Sequence, residues 1–350
     1  MSGTIEPLGL AVIGAGYWGP NLVRNAVTNP ATELRWICDL DLPRAQGLAS
    51  TYAGVSATGD LRAVLDDPCV EAVAIATPAS SHAAIAIEAV KAGKHVVIEK
   101  PIASSGADAA DILRTAEAAG RVVMCDHTYC YTPAVQYIRE ALASGELGEL
   151  QFIDSVRINL GLVQRDIDVV WDLAPHDLSI IDAIIPAGEA VHSVSATGAD
   201  PVGAGQACVA YLSLQLASGA IAHVHVNWLS PTKVRTMIVG GSRRTLVWDD
   251  LHPSQRISVF DRGVEISSAE DQDADTQRRI AYRIGDMVAP ALQEREALAS
   301  MFDEFVAAVR ENRQPLTDGH AGLRVLHLLE AARRSMADGG RSVLLEEANS

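Results

Sequence analysis

The sequence predicts an α/β protein in two parts: an N-terminal parallel sheet covered by helices on both faces, then an α/β part built on a large, mainly antiparallel sheet. Three observations predict it. Short apolar runs alternate with helix-like segments up to about Cys125, closely spaced strand-like runs follow, and 350 residues is more than twice the ~150 typical of one domain. With 48% hydrophobic and 21% charged residues, the composition is globular and supplies apolar side chains for two cores. The expected domains are 1–125 and 126–350, with the C-terminal helices free to pack back on the first.

Leu8 to Ile13 is a short apolar run stopped by Gly14, and Gly19 to Val27 has helical apolar spacing, opened by Pro20 where a first-turn proline is tolerated. Glu33 to Cys38, Val70 to Ala76 and His95 to Ile98 are further short strands; helix-like segments at Leu61 to Leu65 and Ser81 to Ala92 lead into the last two. Gly93 sits where a glycine ends a helix. Asp108 to Ala119, closed by Gly120, is another helix, and Val122 to Cys125 another strand. Buried strands separated by helices give a parallel sheet.

After Asp126 the runs Gln151 to Asn159, Val191 to Ala196, Ala207 to Gln215, Ile221 to Trp228, Val234 to Val239 and Arg244 to Trp248 succeed one another with turn signals between them. Pro175 to Ile185 is the clear helix among them. Ala291 to Arg310 and Ala321 to Met336 read as C-terminal helices, and the polar, acidic stretch Ser267 to Arg279 as a mobile loop.

A net charge of −16 sets the chain against polyanions, which excludes nucleic acid and anionic membrane as expected partners. A phosphate-bearing ligand then has to be held locally, by backbone N–H groups or a few placed cations. Cys38, Cys69, Cys125, Cys130 and Cys208 form an odd set without C-x-x-C spacing and read as reduced core thiols. No leader-like or membrane-spanning apolar stretch is seen, so a cytoplasmic protein is expected.

Gly14-Ala15-Gly16-Tyr17-Trp18-Gly19 fits G-x-G-x-x-G between a strand and a helix, the context that gives the pattern meaning. Gly14 permits the tight turn, Gly16 lets a pyrophosphate approach the backbone, and Gly19 lets helix and strand pack closely. Asp39, 23 residues beyond Gly16 at the end of the next strand, would accept from a ribose 2′-OH and repel a 2′-phosphate. NAD is therefore expected over NADP, with Arg44 as the residue that could argue otherwise. Tyr17 and Trp18 are expected to pack around the turn.

Lys100 follows the strand His95 to Ile98 and projects from the carboxyl end of the parallel sheet, where ligands of such sheets bind. Pro101 after it allows a cis bond. Asp172 lies four residues before His176, so on one helix both would share a face; Pro175 between them argues for a helix that starts only near His176, with Asp172 in the preceding turn. Either geometry lets a carboxylate orient an imidazole and raise its basicity. The competing reading is a capping aspartate beside a buried structural histidine.

Three pieces together resemble the Gfo/Idh/MocA oxidoreductases: the glycine turn, the segment from Ala76-Thr77-Pro78 and His82 through Ala92-Gly93-Lys94-His95-Val96 to Glu99-Lys100-Pro101, and the Asp172/His176 pair. Asp126 to Pro133, Arg157 to Gly161, Trp171 to Asp177 and Asn227 to Arg235 are similar to the branch that oxidises UDP-N-acetylglucosamine or its uronic acid at C3. The resemblance implies a Rossmann domain, a second domain whose open sheet packs between subunits of a dimer or tetramer, and a cis Lys100-Pro101 bond. It implies that Lys100 and His176 are catalytic, with Asp172 orienting His176, and that Thr77, Pro78, His82, Glu99 and Lys100 join Gly14, Gly16, Tyr17, Trp18, Gly19 and Asp39 around NAD. A nucleotide diphosphate would need local cations and polar groups, for which Arg157, Asn159, Gln164, Lys233 and Arg235 are candidates, with His127 and Trp171 beside them. Each of those arginines could equally be solvated or paired. His223 and His225 share a strand face without a third ligand, so no metal is expected. Alternatives are a keto-sugar reductase, an inositol or aminocyclitol dehydrogenase, and a non-catalytic dinucleotide sensor.

Overall fold

The structure is a computed structural model in which residues 6–165, 167–267 and 279–345 are described. The chain divides into two compact units, one of Met1–Thr132 with Glu294–His327 and one of Pro133–Gln293 with Leu328–Ser350.

In the first unit the elements run β1 (Leu8–Ile13), α1 (Gly19–Thr28), β2 (Thr32–Cys38), α2 (Leu42–Ala49), β3 (Ser56–Thr58), α3 (Leu61–Leu65), β4 (Ala72–Ile75), α4 (Ala79–Lys91), β5 (His95–Glu99), α5 (Gly106–Ala119) and β6 (Val123–Asp126). The six strands form one parallel sheet in the order β3-β2-β1-β4-β5-β6, with the chain reversing direction across the sheet at β1/β4. Every residue of β1, β4 and β6 is buried, as strands covered on both faces require. Short polar side chains start the helices: Asp41, Asp60 and Ser105 accept from backbone N–H groups at α2, α3 and α5. All the β-to-α turns leave from one edge, which therefore gathers Gly14, Asp39, Thr77, Lys100 and His127.

The second unit opens with α6 (Pro133–Ala143), β7 (Leu150–Leu160) and α7 (Val169–Ile184), then β8 (Val191–Ala199), β9 (Val209–Leu216), β10 (Ile221–Asn227), β11 (Leu229–Gly241), β12 (Thr245–Asp249), β13 (Ile257–Ser267) and β14 (Arg279–Val288). Helix α8 (Ala297–Glu311) belongs to the first unit, α9 (Gly319–Ala337) is divided between the two at His327/Leu328, and β15 (Val343–Leu344) returns to the edge of this sheet. The described strands form a nine-stranded sheet, order β14-β13-β12-β11-β7-β10-β9-β8-β15, antiparallel except for β7 beside β10. Strand β9 alternates buried and exposed residues. Ala210, Leu212, Ala222, Val224 and Val226 are buried, while Tyr211 on the other face stacks on His225 at 4.4 Å and His223 at 6.0 Å.

Several expectations are corrected. Helix α7 starts at Val169, six residues before Pro175, because Asp168 caps it and Val169, Val170, Trp171 and Ala174 are buried; that burial outweighs the missing proline N–H. Helix α8 starts at Ala297, not Ala291: Glu296 before it is drawn to Arg24 and Asn25, which ends the extended approach there. Cys69 is exposed, whereas the other four thiols are buried. Helices α2 and α6 and strands β13 to β15 were not foreseen. The loop expected over Ser267 to Arg279 lies, between its two end residues, outside the described residues.

Candidate active site

In the first unit the glycine turn has the shape its pattern requires. Gly14 adopts φ +101°, and a Cβ there would lie 2.6 Å from the Ala76 carbonyl oxygen; at Gly19 it would lie 2.1 Å from that of Gly14. At Gly16 a Cβ would meet nothing within 4 Å, so its backbone borders open space. Helix α1 begins here with no side-chain cap and no acidic residue in its first turn, leaving its positive end for a ligand. Asp39 closes the turn: Oδ2 accepts from Ala15 N–H at 2.7 Å and Oδ1 from Asp41 N–H at 2.8 Å. Arg44 pairs with Asp41 at 2.9 Å and stands 3.9 Å from Asp39, so its charge is already met. The turn thus fits a dinucleotide pyrophosphate. Gly16→Ala is expected to leave the thermal stability of the unliganded protein unchanged and to weaken NAD binding by about tenfold, as titration calorimetry would show.

Trp18 does pack here, its indole N–H donating to Asp126 at 3.1 Å. Tyr17 does not: its ring is 96% exposed, and Leu40 across the turn is 97% exposed. Thr77 and Pro78 stand at the start of α4, where Thr77 Oγ1 accepts from Ser81. His82 is fully buried, with Nε2 2.8 Å from the Thr77 carbonyl and Nδ1 2.9 Å from that of Pro101, so it ties the loops after β4 and β5 together.

At the end of β5, Glu99 and Lys100 are half-buried, and Lys100-Pro101 is cis. Burial and the charge of Asp126 push the Glu99 carboxyl well above the usual range. His127, at the end of β6, is buried with no partner at either ring nitrogen, and burial together with the Lys100 charge lowers its pKa to about 3. It is therefore a neutral imidazole.

In the second unit, α7 carries Asp172 and His176 on one face, both half-buried. Trp228, fully buried on the sheet, donates its indole N–H to Asp172 Oδ2 at 2.9 Å, a partner 56 residues away that no spacing rule announces. Asn159 and Gly161 lie against the same indole region: a Cβ on Gly161 would fall 3.0 Å from Trp228 Cδ1 and 3.1 Å from Asn159 Nδ2. Trp171 is buried under the guanidinium of Arg333, 4.2 Å from its ring centre, a cation–π partner also unseen in sequence. The backbone carbonyl of Gln164 accepts from Gln206, Lys233 is exposed, and Arg235 stands 3.5 Å from Asp250.

Arg157 is held in a buried ion pair. Its side chain is 4% exposed and grips Asp177 through Nε at 2.6 Å and Nη2 at 3.2 Å, with Ser155 donating to the same carboxylate. Strand alternation turns Arg157 toward α7, so its charge serves an internal pair. Arg157→Leu is expected to cost about 3 kcal/mol in urea unfolding by stranding Asp177, and Arg157→Leu with Asp177→Leu to recover most of it.

Residues 8–127 match the oxidoreductase family's NAD-binding Rossmann fold, and residues 139–345 its C-terminal alpha/beta domain. The chain belongs to the Gfo/Idh/MocA oxidoreductase family. It is an NAD(P)-dependent oxidoreductase acting on CH–OH groups. It is 28% identical to the UDP-N-acetylglucosamine 3-dehydrogenase of Acidithiobacillus ferrooxidans over 73% of this chain and 76% of that one. A solved structure of that enzyme superposes with TM-score 0.78 at 25% identity, covering 95% and 98% of the two chains. The inositol 2-dehydrogenase of Rhizobium meliloti is 26% identical over 93% of this chain and 96% of its own. Among the described residues no helix is long and apolar enough to cross a membrane.

Proposed function

We propose that this Gfo/Idh/MocA enzyme uses NAD to oxidise a secondary hydroxyl, at C3, of a nucleotide sugar of the UDP-N-acetylhexosamine or uronic acid class. The similarity to UDP-N-acetylglucosamine 3-dehydrogenase, in sequence and in fold over both units, carries the substrate reading. Asp39 at the glycine turn and the neutralised Arg44 support NAD over NADP. Gly14, Gly16, Gly19 and the start of α1 would hold the dinucleotide, which supplies the hydride acceptor when bound. His176 takes the hydroxyl proton, Asp172 keeps its place through Trp228, and Lys100 hydrogen-bonds the same oxygen as it gains alkoxide character. Lys233, Arg235, Asn159 and Gln164 remain as groups for the sugar and its diphosphate. The exposed alternate residues of the nine-stranded sheet, Tyr211 and Ile221 among them, support pairing of subunits through that face in a dimer or tetramer.

The test is a panel of UDP-sugars, dTDP-sugars, free sugars and inositols with NAD, read by NADH absorbance. Turnover of a UDP-N-acetylhexosamine or its uronic acid, at a kcat/KM well above that for the others, is the expected outcome. Preference for a free inositol would replace the substrate reading with that of the inositol relatives and leave the dehydrogenase intact.

A further inference from the structure

A chain of polar contacts joins the glycine turn to the strand end that carries Lys100. Glu99 and Asp126 are register partners on the adjacent parallel strands β5 and β6, so their carboxyls leave the sheet edge on the same face. Asp126 is buried, and both its oxygens take donors: Oδ2 from the Trp18 indole at 3.1 Å, Oδ1 from the Thr128 hydroxyl at 2.5 Å. The Glu99 carboxyl stands beside that of Asp126, and burial together with the Asp126 charge favours its protonated form. Its Oε2 is sealed from solvent and meets no protein donor.

Two ionised carboxylates side by side at a buried strand end repel each other, and a sealed carboxylate oxygen without a donor is costly. One proton between the two groups removes both difficulties. Asp126, already served by two N–H and O–H donors, is the better anion, which leaves the proton on Glu99. We propose that Glu99 and Asp126 form a carboxyl pair sharing one proton, clamped by the Trp18 indole, and that this pair positions Lys100. The proposal rests on the reading of Lys100 as an acid–base group. Burial and the Asp126 charge act on Glu99 in the same sense. Of the other groups near it, Lys100 opposes that effect, while His127 and the Cys125 thiol stay neutral. With the proton in place, one negative charge acts on the neighbouring Lys100 ammonium instead of two. The same link makes the seating of the glycine turn felt at Lys100, through a single indole N–H.

The unliganded protein offers a direct test. Infrared spectra at neutral pH are expected to show the carbonyl stretch of a protonated carboxylic acid, shifted in D2O and missing from Glu99→Gln; its absence from the wild-type spectrum overturns the shared proton. For positioning, Trp18→Phe keeps the ring and deletes the donor, and is expected to lower kcat roughly tenfold with far less change in NAD affinity. Glu99→Gln, whose amide can donate to Asp126, is expected to lose much less turnover than Glu99→Met; equal losses refute the positioning role. Should Lys100→Met prove fully active, the assignment of Lys100 fails while the infrared band stands.

Discussion

Lys100→Met and His176→Ala are each expected to lower kcat by roughly 10²- to 10⁴-fold, with NAD affinity changed far less. Removing the proton of the substrate hydroxyl in step with loss of hydride needs an acceptor for the proton and a donor to the oxygen, and these two side chains have the chemistry for both roles. Lys100 leaves the carboxyl edge of the parallel sheet directly after β5. His176 shares a helix face with Asp172, whose carboxylate is pinned by Trp228. Methionine preserves the apolar stem of Lys100 and removes the cation, so a loss of turnover at constant NAD affinity reports chemistry and not folding. The pH profile separates the roles: loss of the general base should abolish the acidic limb of kcat/KM, and the variant in which that limb disappears identifies the base. Wild-type turnover in both variants, with NAD bound normally, would remove the assignment.

Lowering the pH from 7 to about 4.5 is expected to destabilise the unliganded protein by about 2 kcal/mol. Two imidazoles in the first unit carry the effect. His127 is held to about 3 by burial and Lys100, and His95 to about 4 by burial and Arg121. The contacts of His95 agree, because Val122 N–H at 3.0 Å and Arg121 at 3.2 Å both aim donors at the ring. Above the unfolded value of about 6.5 both states are neutral and these groups contribute nothing to the pH dependence. Below it the unfolded chain takes up protons that the folded chain refuses, so stability falls with pH. The slope is roughly 1.4 kcal/mol per pH unit for each imidazole, less for half-buried His95, until the folded values are reached, and the proton proposed on Glu99 works in the opposite sense and offsets about one of them. His82 adds in the same direction but more weakly, since its two carbonyl contacts favour the proton that burial resists. Urea unfolding at pH 7, 6, 5.5 and 4.5 measures the slope; His127→Gln and His95→Gln should each flatten it, and a flat wild-type profile would refute it.

Local signals carried much of this molecule. The glycine turn was legible because φ, close packing and backbone exposure each demand glycine at a separate position, and Gly14, Gly16 and Gly19 meet those demands one by one. The parallel sheet was legible because strands buried on both faces must be short and apolar. Helix α7 was half-legible: the proline rule placed its start near His176, and buried side chains moved it back to Val169. Strands β13 and β14 escaped because they are edge strands with many exposed positions, which blurs the alternation between core and solvent.

By itself, then, the sequence determined the two-part α/β architecture, the dinucleotide turn and the residue types able to move a proton, all of which depend on neighbours within one turn or one strand. The tertiary structure alone decided how those side chains are employed. It paired Arg157 with Asp177, gave both ring nitrogens of His82 to carbonyls, set Trp228 on Asp172 and Trp18 on Asp126. The reason is physical: a side chain's charge state and availability depend on burial and on partners tens to a hundred residues away, and those are fixed only when sheets and helices close around them.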